Sequence, residues 1–234
     1  MKTIATRLFT AVRRRLIDAP RGMGHPVPAE AFDREYATGH WNLLFSEEEL
    51  PRTQILVGLI ASLSPRPAVL DLGCGSGRLA QLLASHFPAR YLGVDLSAEG
   101  LRRAQSLGLN GCEFVQDDFE TWSPAGLFDA VVFNESIGYA HDPAAAVQRF
   151  FSCLNPGGRV LISYYRSGNH KAIWRRIARV AETLQETSAR NRLGATWDVK
   201  LLRPRIAARP GMSSRVASLS AASPPADKIS PAHP

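Results

Sequence analysis

The sequence has few cysteines, and those present are far apart. Cys74, Cys112 and Cys153 form no C-x-x-C pair, and no cluster of histidine and cysteine occurs at metal-ligand spacing. This argues against a disulfide-stabilised scaffold and against a structural zinc site, and we expect no metal. The same cysteine usage, with a start that lacks the cleavage site of a secretory signal, predicts a cytoplasmic protein.

Long apolar runs are absent as well. No stretch of about 18 consecutive apolar residues occurs, so no transmembrane segment is predicted. No internal repeat stands out either, which argues against solenoid and propeller folds. Hydrophobic residues nevertheless make up 45% of the chain, enough to build the core of a globular domain.

Positive charge is in excess, with a formal net charge of +7. Much of this excess lies at the two ends of the chain, for example in Arg13, Arg14 and Arg15. Charge placed there indicates solubility or loose contacts with anions rather than a groove for nucleic acid. We therefore do not expect nucleic acid as a partner.

Composition divides the chain into three parts. Residues 1–28 are interpreted as a basic N-terminal helix, Met1 to Asp18, followed by a linker rich in proline and glycine. Residues 29–203 carry the regular patterns of a folded domain. Residues 204–234 are rich in proline, serine and alanine, and they are predicted to be a disordered tail.

Strand and helix patterns alternate through the middle of the chain. Short apolar strands are predicted at 68–72, 90–94, 113–116, 128–133 and 159–164, with helices at 78–87, 97–107 and 142–153 between them and a turn at 155–158. This alternation predicts a doubly wound, mostly parallel α/β sheet. Two last strands, 183–190 and 195–202, are joined so tightly that they must pair as an antiparallel hairpin, giving seven strands in all.

A glycine-rich turn follows the first strand. Asp71 and Leu72 lead into Gly73-Cys74-Gly75-Ser76-Gly77, and a helix begins at Arg78. Glycines allow both the tight bend and the close approach of a ligand to the backbone. The dinucleotide pattern G-x-G-x-x-G would require glycine where Arg78 stands. An acid beside the turn would also repel a pyrophosphate, which makes an NAD-dependent oxidoreductase a weak alternative.

Acidic residues follow the next two strands. Asp95-Leu96 ends the second strand at the spacing where a carboxylate accepts hydrogen bonds from ribose. Asp118-Phe119 follows the third strand, where the acid can accept from an adenine amino group and the phenyl ring can cover the base. The cofactor expected from these features is cationic and lacks phosphate, as S-adenosylmethionine is.

Together these segments resemble the class I S-adenosylmethionine-dependent methyltransferases, over roughly residues 32–204. The fourth strand, Phe128 to Glu135, and the turn Leu154-Asn155-Pro156-Gly157-Gly158 also match that family. The resemblance implies S-adenosyl-L-methionine as the cofactor, and the residues predicted to bind it are Asp71, Gly73, Cys74, Gly75, Gly77, Asp95, Leu96, Asp118, Phe119 and Asn134.

The methyl acceptor is expected near the end of the fourth strand, because the carboxyl ends of strands form the ligand crevice of such sheets. His141 and Glu135 are the predicted catalytic residues. Histidine is a common general base, although His141-Asp142-Pro143 is also an ordinary helix start. Tyr36, Trp41 and Tyr139 are predicted to bind substrate, with Tyr36 and Trp41 forming a lid or, alternatively, serving as apolar anchors.

The acceptor itself is predicted to be a small molecule, methylated on oxygen or nitrogen. Asn134-Glu135-Ser136-Ile137 departs from the N-P-P-Y-like motif of enzymes that methylate nucleic-acid amines. The run from Phe133 to Tyr139 resembles small bacterial methyltransferases that modify sugars or other metabolites. Two alternatives stay open: a methyltransferase acting on RNA or protein, and a non-catalytic subunit that binds S-adenosylmethionine.

Overall fold

The computed structural model describes residues 13–86 and 90–205 of the chain. The strands are β1 (Ala68–Leu72), β2 (Arg90–Asp95), β3 (Cys112–Gln116), β4 (Phe128–Asn134), β5 (Leu154–Tyr165), β6 (Ala181–Arg190) and β7 (Thr196–Pro204). The α-helices are α1 (Ala29–Ala37), α2 (Leu50–Ala61), α3 (Arg78–His86), α4 (Ala98–Ser106), α5 (Pro143–Arg149) and α6 (His170–Ile177). Short 3₁₀ helices occupy His40–Phe45, Ile137–Tyr139 and Phe150–Cys153, and a π-helical turn spans Arg14–Asp18.

The strands form one seven-stranded sheet in the order β3-β2-β1-β4-β5-β7-β6. The first five strands pair in parallel, whereas β7 runs antiparallel to both β5 and β6. This arrangement confirms the predicted doubly wound, mostly parallel sheet with a terminal antiparallel hairpin. The strand order reverses between β1 and β4, and in open sheets of this kind ligands bind outside the carboxyl ends of the strands at that point.

Two apolar layers hold the helices against the two faces of the sheet. On one face, Leu56 of α2 and Leu79 of α3 pack with Val69 and Val132. On the other face, helices α5 and α6 pack against the alternate residues of the same strands, such as Leu70, Val131 and Phe133. Each fully buried side chain of this size contributes about 2 kcal/mol to the free energy of unfolding. The alternation along β1 and β4 therefore fixes which face each residue points to.

Two helix starts are capped by side chains. The Ser97 hydroxyl accepts a hydrogen bond from the Gly100 amide at 3.0 Å at the start of α4, and Asp142 Oδ1 accepts from the Ala144 amide at 3.0 Å at the start of α5. Both side chains satisfy amide groups that the helix itself leaves unpaired. Ser97 lies two residues after Asp95, so its cap fixes the backbone just beyond β2.

Residues 29–45, which we call the cap, lie over the start of α4. Asp33 Oδ1 accepts from the Ser97 hydroxyl at 2.6 Å and from the Glu99 amide at 3.1 Å. Arg103 of α4 donates to the carbonyl oxygen of Tyr36 at 2.5 Å. These contacts tie α1 to the helix that follows β2, and they hold the aromatic residues of the cap near the carboxyl ends of the strands.

Some predicted boundaries differ from the structure. The turn predicted at 155–158 is an irregularity within β5, because Leu154 already pairs with Phe128 before the register shifts. The helix predicted to reach Cys153 ends at Arg149 and continues as a 3₁₀ turn, and the helix that begins at His170 ends at Ile177. Most of the predicted N-terminal helix (1–12) and of the tail (206–234) lies outside the described residues. No described helix has both the length and the apolar character needed to cross a membrane.

Candidate functional site

A cavity of about 360 Å³ opens at the carboxyl ends of β1, β2 and β4, beneath the cap. Its first half is formed by residues that directly follow the strands, and these are Gly73, Cys74, Gly75, Asp95, Leu96, Phe119, Asn134, Glu135 and Ser136. Its second half is formed by the cap and by residues from α2, α3, Tyr139 and the β5–β7 edge, among them Phe32, Tyr36, Trp41, Glu49, Arg52, Arg78, Tyr165 and Trp197. The structure thus brings most of the predicted site residues together.

The glycine turn approaches the cavity with its backbone. Gly75 has φ +54°, and a Cβ at this position would lie 2.3 Å from the Tyr36 hydroxyl oxygen. Any larger residue would therefore fill the space between the turn and the cap. Gly77, by contrast, does not line the cavity: a Cβ there would lie 3.0 Å from Cβ of Ala104. Gly77 allows α3 to pack against α4. The structure therefore gives Gly77 a packing role, whereas the sequence predicted that it contacts the cofactor.

Asp95 lies at the centre of the first half of the cavity. Its Oδ2 accepts from the Gly75 amide at 2.8 Å, and its Oδ1 accepts from the Ser97 amide at 2.8 Å. Burial raises the pKa of this carboxyl, while the two amide hydrogen bonds act in the opposite direction. Each oxygen keeps a further lone pair, so the carboxylate can still accept hydrogen bonds from two neighbouring hydroxyl groups.

Asp71 does not line the cavity, although the sequence placed it among the cofactor ligands. The residue is fully buried behind the glycine turn, and its Oδ2 accepts a hydrogen bond from the Tyr91 hydroxyl. Burial raises the pKa of Asp71 to about 7, partly offset by that hydrogen bond. The physical reason is the pleat of β1, which directs this side chain to the buried face of the sheet that carries Val69 and Tyr91, rather than toward the turn.

The residues expected around adenine divide into two groups. Leu96 and Phe119 line the cavity, and Phe119 is almost completely buried, packed edge-on against Phe133. Asp118 does not line the cavity, because its Oδ1 turns back to accept from the Glu120 amide at 2.8 Å. The aromatic wall is therefore in place, whereas the predicted acidic partner of the adenine amino group caps a local turn.

Glu135 lies at the cavity wall directly after β4, in a strained conformation. Its φ of +65° is the only positive value among the described non-glycine residues, and such strain concentrates at functional sites. The carboxylate accepts from the Ser163 hydroxyl at 2.9 Å and from the Tyr165 amide at 3.1 Å. Burial raises its pKa, and the nearby charge of Arg52 lowers it in part.

His141 is not brought to the cavity. Its side chain is 76% exposed, and its Nδ1 is paired with Glu120 on the outer surface. Asp142 caps α5 immediately afterwards, so the chain turns away from the sheet edge at this point. The interpretation of this segment as an ordinary helix start fits the geometry, and the assignment of His141 as a base has no geometric support.

Aromatic side chains enclose the second half of the cavity. Tyr36 and Trp41 stack loosely with ring centroids 6.1 Å apart, and Phe32 meets Tyr139 edge-on at 5.1 Å. Burial raises the pKa of Tyr139 to about 12, so its hydroxyl is a neutral hydrogen-bond donor. All three predicted substrate-binding residues, Tyr36, Trp41 and Tyr139, line this half.

Sequence reasoning missed the polar residues that α2 supplies. Arg52 is buried at 2% exposure, donates to Asn134 Oδ1 and pairs with Glu49 at 2.9 Å. Its guanidinium also lies 5.9 Å from the ring centroid of Trp197. The available signal in the sequence was an arginine in the first turn of a mostly apolar helix, since a charged residue on such a helix needs a partner if it is buried.

Arg78, the first residue of α3, was also missed as a site residue. Its guanidinium lies 5.3 Å from the ring centroid of Phe45, and its Nη1 donates to Gln81 at 2.7 Å. The Nε atom is buried without a hydrogen-bond partner among the described residues. A cation at the cavity wall can bind a ligand carboxylate by donating hydrogen bonds to its oxygens.

Comparison with known proteins places this architecture in a family. The family model described as a methyltransferase domain matches residues 34–203, which is most of the 234-residue chain. The chain belongs to this methyltransferase family. The match confirms the resemblance stated from the sequence, and it runs through the glycine turn, Asp95 and the whole sheet.

Curated relatives share part of this methyltransferase domain. Trans-aconitate 2-methyltransferase of Acidovorax ebreus is 37% identical over 118 residues, which cover 49% of this chain and 45% of the relative. Phosphoethanolamine N-methyltransferase 1 of Arabidopsis thaliana is 36% identical over 108 residues, covering 44% of this chain and 22% of the relative. This methyltransferase chain therefore aligns with less than half the length of these relatives.

Solved structures confirm the fold. The N-methyltransferase NodS of Bradyrhizobium japonicum, in complex with S-adenosyl-L-homocysteine, superposes with a TM-score of 0.64 at 19% identity, covering 76% of this chain and 98% of NodS. The [4+2]-cyclase SpnF superposes with a TM-score of 0.61 at 15% identity, covering 80% of this chain and 99% of SpnF. Family and fold agree with the predicted cofactor, S-adenosylmethionine.

Proposed function

We propose that this methyltransferase-family chain transfers a methyl group from S-adenosylmethionine to an oxygen or nitrogen of a small molecule. The observation that carries the proposal is the pairing of Gly75 and Asp95 at the carboxyl ends of β1 and β2. A backbone that admits close approach and a buried carboxylate with free lone pairs suit a ribose. The wall beside them is apolar and aromatic. Such a wall suits an adenine ring and does not suit a phosphate-bearing group.

Most of the residues that would hold the cofactor lie in the first half of the cavity, and Arg78 would join them from the start of α3. Asp95 would accept from the ribose hydroxyls, and Leu96 and Phe119 would enclose the adenine. Arg78 would receive the carboxylate of the methionine part through its guanidinium group. When bound, S-adenosylmethionine supplies a methyl group activated by the positive charge on sulfur.

The second half of the cavity would hold the acceptor. Its aromatic walls, Phe32, Tyr36, Trp41 and Tyr139, exclude water and fix a small molecule in one orientation, and positioning of this kind provides much of the acceleration of a displacement. Glu135 also lines the cavity, and burial raises the pKa of its carboxyl. We assign to it the task of orienting the acceptor hydroxyl or amine and holding the proton that it releases.

A small acceptor fits better than a macromolecule. The cap covers the cavity with residues from α1 and the following 3₁₀ helix, and these leave about 360 Å³ inside. Two curated relatives are named for the small acceptors trans-aconitate and phosphoethanolamine. Arg52 is already paired with Glu49 and Asn134, so the acceptor side offers little uncompensated positive charge, and an uncharged hydroxyl compound or an amine is favoured over a tricarboxylate.

The test begins with calorimetric titration of the chain with S-adenosylmethionine, S-adenosylhomocysteine and NAD in parallel. We expect binding of the first two and none of NAD. Release of S-adenosylhomocysteine is then measured with a panel of amines, alcohols, trans-aconitate and phosphoethanolamine. Because the cyclase SpnF shares the fold, turnover is needed as well as binding: a chain that binds the cofactor and methylates no acceptor would overturn the proposed activity.

A further inference from the structure

A second cavity, of about 970 Å³, is lined in part by Gly138 and Tyr164. The first cavity, beneath the cap, is called the methyl-transfer cavity below, and it is lined by the neighbouring residues Tyr139 and Tyr165. Three segments form the second cavity: residues 14–25, the loop at Gly138, and residues 164–175, which include the start of α6. Gly138 and Tyr164 lie close together in this lining, since a Cβ on Gly138 would lie 2.8 Å from the Tyr164 ring. The proposed methyl transfer uses none of the charged residues around this second cavity.

The N-terminal segment is fixed in place by backbone contacts. The His25 amide donates to the Gly138 carbonyl at 2.6 Å, and the Gly24 amide donates to the His141 carbonyl at 3.3 Å. Asn169, at the start of α6, donates to the Met23 carbonyl at 3.0 Å. A Cβ on Gly24 would lie 2.0 Å from the Ala140 carbonyl oxygen, so the segment is packed closely against the loop. The cavity is therefore a feature of the folded domain.

The charged side chains that the structure describes around this cavity are positive. Arg14, Arg15, Lys171 and Arg175 line it, and none of its described lining residues is Asp or Glu. Arg15, Lys171 and Arg175 form no salt bridge with any other residue between 13 and 205 that the structure describes. An anion between these cations would reduce the repulsion among them.

Further donors face the same space. The first turn of α6, with His170 and Lys171, belongs to the lining, and the positive end of a helix dipole favours an anion there. The Nδ1 atom of His170 is buried and has no hydrogen-bond partner among the described residues. The ring of His25 also lines the cavity, where its Nε2 lies 2.6 Å from Arg14 Nη1. Cations, a helix start and an unpaired ring nitrogen thus converge from separate segments.

We propose that this second cavity binds a phosphate group. Four cationic side chains without an acid match a dianion better than a single carboxylate, and lysine and arginine are the residues that phosphate groups contact most. A phosphorylated small molecule and the headgroup of an anionic lipid carry the same chemistry. This phosphate site shares no charged residue with the methyl-transfer cavity. Its occupancy is therefore measured by phosphate binding and not by methyl-transfer activity.

The experiment uses inorganic phosphate as the probe and the full chain labelled with ¹⁵N. Phosphate is titrated while the amide shifts of Gly138, Gly168 and Lys171 are followed. The cavity variant is Lys171→Gln with Arg175→Gln, both on exposed positions of α6. Its matched control is Arg66→Gln with Arg179→Gln, which removes the same charge from exposed positions outside the cavity.

We expect phosphate to shift these amides in the parent chain and in the control, and the dissociation constant to rise at least ~10-fold in the cavity variant. No shift at these amides, or an equal loss in both variants, would overturn the site. A second variant, Arg14→Gln with Arg15→Gln, tests the opposite wall and is expected to weaken binding as well. Unchanged phosphate binding in this second variant would contradict the inference that both walls belong to one phosphate site.

The source of the phosphate is decided by co-sedimentation with phosphatidylcholine vesicles that contain phosphatidic acid. Sedimentation of the parent chain and the control, lost in the Lys171→Gln and Arg175→Gln variant, supports the site and assigns it to a lipid headgroup. Phosphate shifts without sedimentation support the site and assign it to a soluble phosphate compound. Binding of the cofactor to the methyl-transfer cavity is expected to be the same in all variants.

Discussion

Asp95 holds the glycine turn through the Gly75 amide, and in the proposed function its carboxylate would also accept hydrogen bonds from the cofactor ribose. Replacing Asp95 with alanine removes both, including its acceptance from the Gly75 amide at 2.8 Å. We expect the dissociation constant for S-adenosylhomocysteine to rise more than ~10-fold, because hydrogen bonds to a charged group contribute about 1.5–3 kcal/mol. Calorimetric titration measures it.

The matched control is Asp117→Ala, which removes an exposed carboxylate after β3 that lies outside the cavity. Affinity equal to the parent is expected there. Asp95→Asn keeps one carbonyl oxygen and is expected to fall between the two. An unchanged dissociation constant in Asp95→Ala, with an intact unfolding transition, would contradict the assignment of this residue to the ribose.

Glu135 and His141 lie six positions apart in the sequence, yet only Glu135 reaches the cavity. We expect Glu135→Gln to lower kcat by ~100-fold, as the loss of a positioned proton acceptor does, while cofactor binding changes little. His141→Ala is expected to leave kcat within ~2-fold, because its exposed pairing with Glu120 adds little. Steady-state rates with the acceptor measure both, and a reversed order would restore His141 as the base.

At the level of elements, the cap depends on its attachment to α4. Asp33 bonds the Ser97 hydroxyl at 2.6 Å and the Glu99 amide at 3.1 Å. We expect Asp33→Ala to destabilise the cap by about 1 kcal/mol. Hydrogen exchange of residues 29–45 should then be faster and less protected by S-adenosylhomocysteine. Glu30→Ala, an exposed acid on the same helix, is the control, and equal exchange in both variants would show that Asp33 does not hold the cap.

The elements divide into those that local pattern could predict and those that it could not. The strands around the glycine turn follow from apolar runs and turn residues that lie within a few positions of one another, as at β1. The cap and α2 are different, because their functional contacts join distant segments. Arg52 bonds Asn134 across 82 positions, and no periodicity within one segment encodes such a meeting.

The same reasoning explains the residues whose predicted roles changed. The type and spacing of Asp71, Gly77 and Asp118 matched a ligand site, but side-chain direction decides which of them reaches the cavity. Asp71 points to a buried face of the sheet, Gly77 faces Ala104 of α4, and Asp118 caps its own turn. Sequence spacing locates the end of a strand, whereas the pleat and the local caps, which depend on the folded chain, orient the side chains there.

For the molecule as a whole, the buried carboxyl of Asp71 couples stability to pH. Its pKa is raised by burial from 3.8 to about 7 in the folded chain. Between these two values the folded state keeps the proton and the unfolded state has lost it. The unfolded state therefore binds fewer protons, and the free energy of unfolding decreases as pH rises through this window, by on the order of 1 kcal/mol per pH unit from this group.

Above about pH 7 both states are ionised at Asp71, so its contribution becomes constant. Asp71→Asn cannot titrate, and its amide keeps an oxygen that accepts from the Tyr91 hydroxyl. We expect the free energy of unfolding of this variant, relative to the parent, to rise with pH from 3.8 to about 7 and then to level off. Urea unfolding followed by tryptophan fluorescence measures this difference at each pH. Asp117→Asn, at an exposed site, should show no such rise, and a pH-independent difference for Asp71→Asn would mean that Asp71 is already ionised in the folded chain.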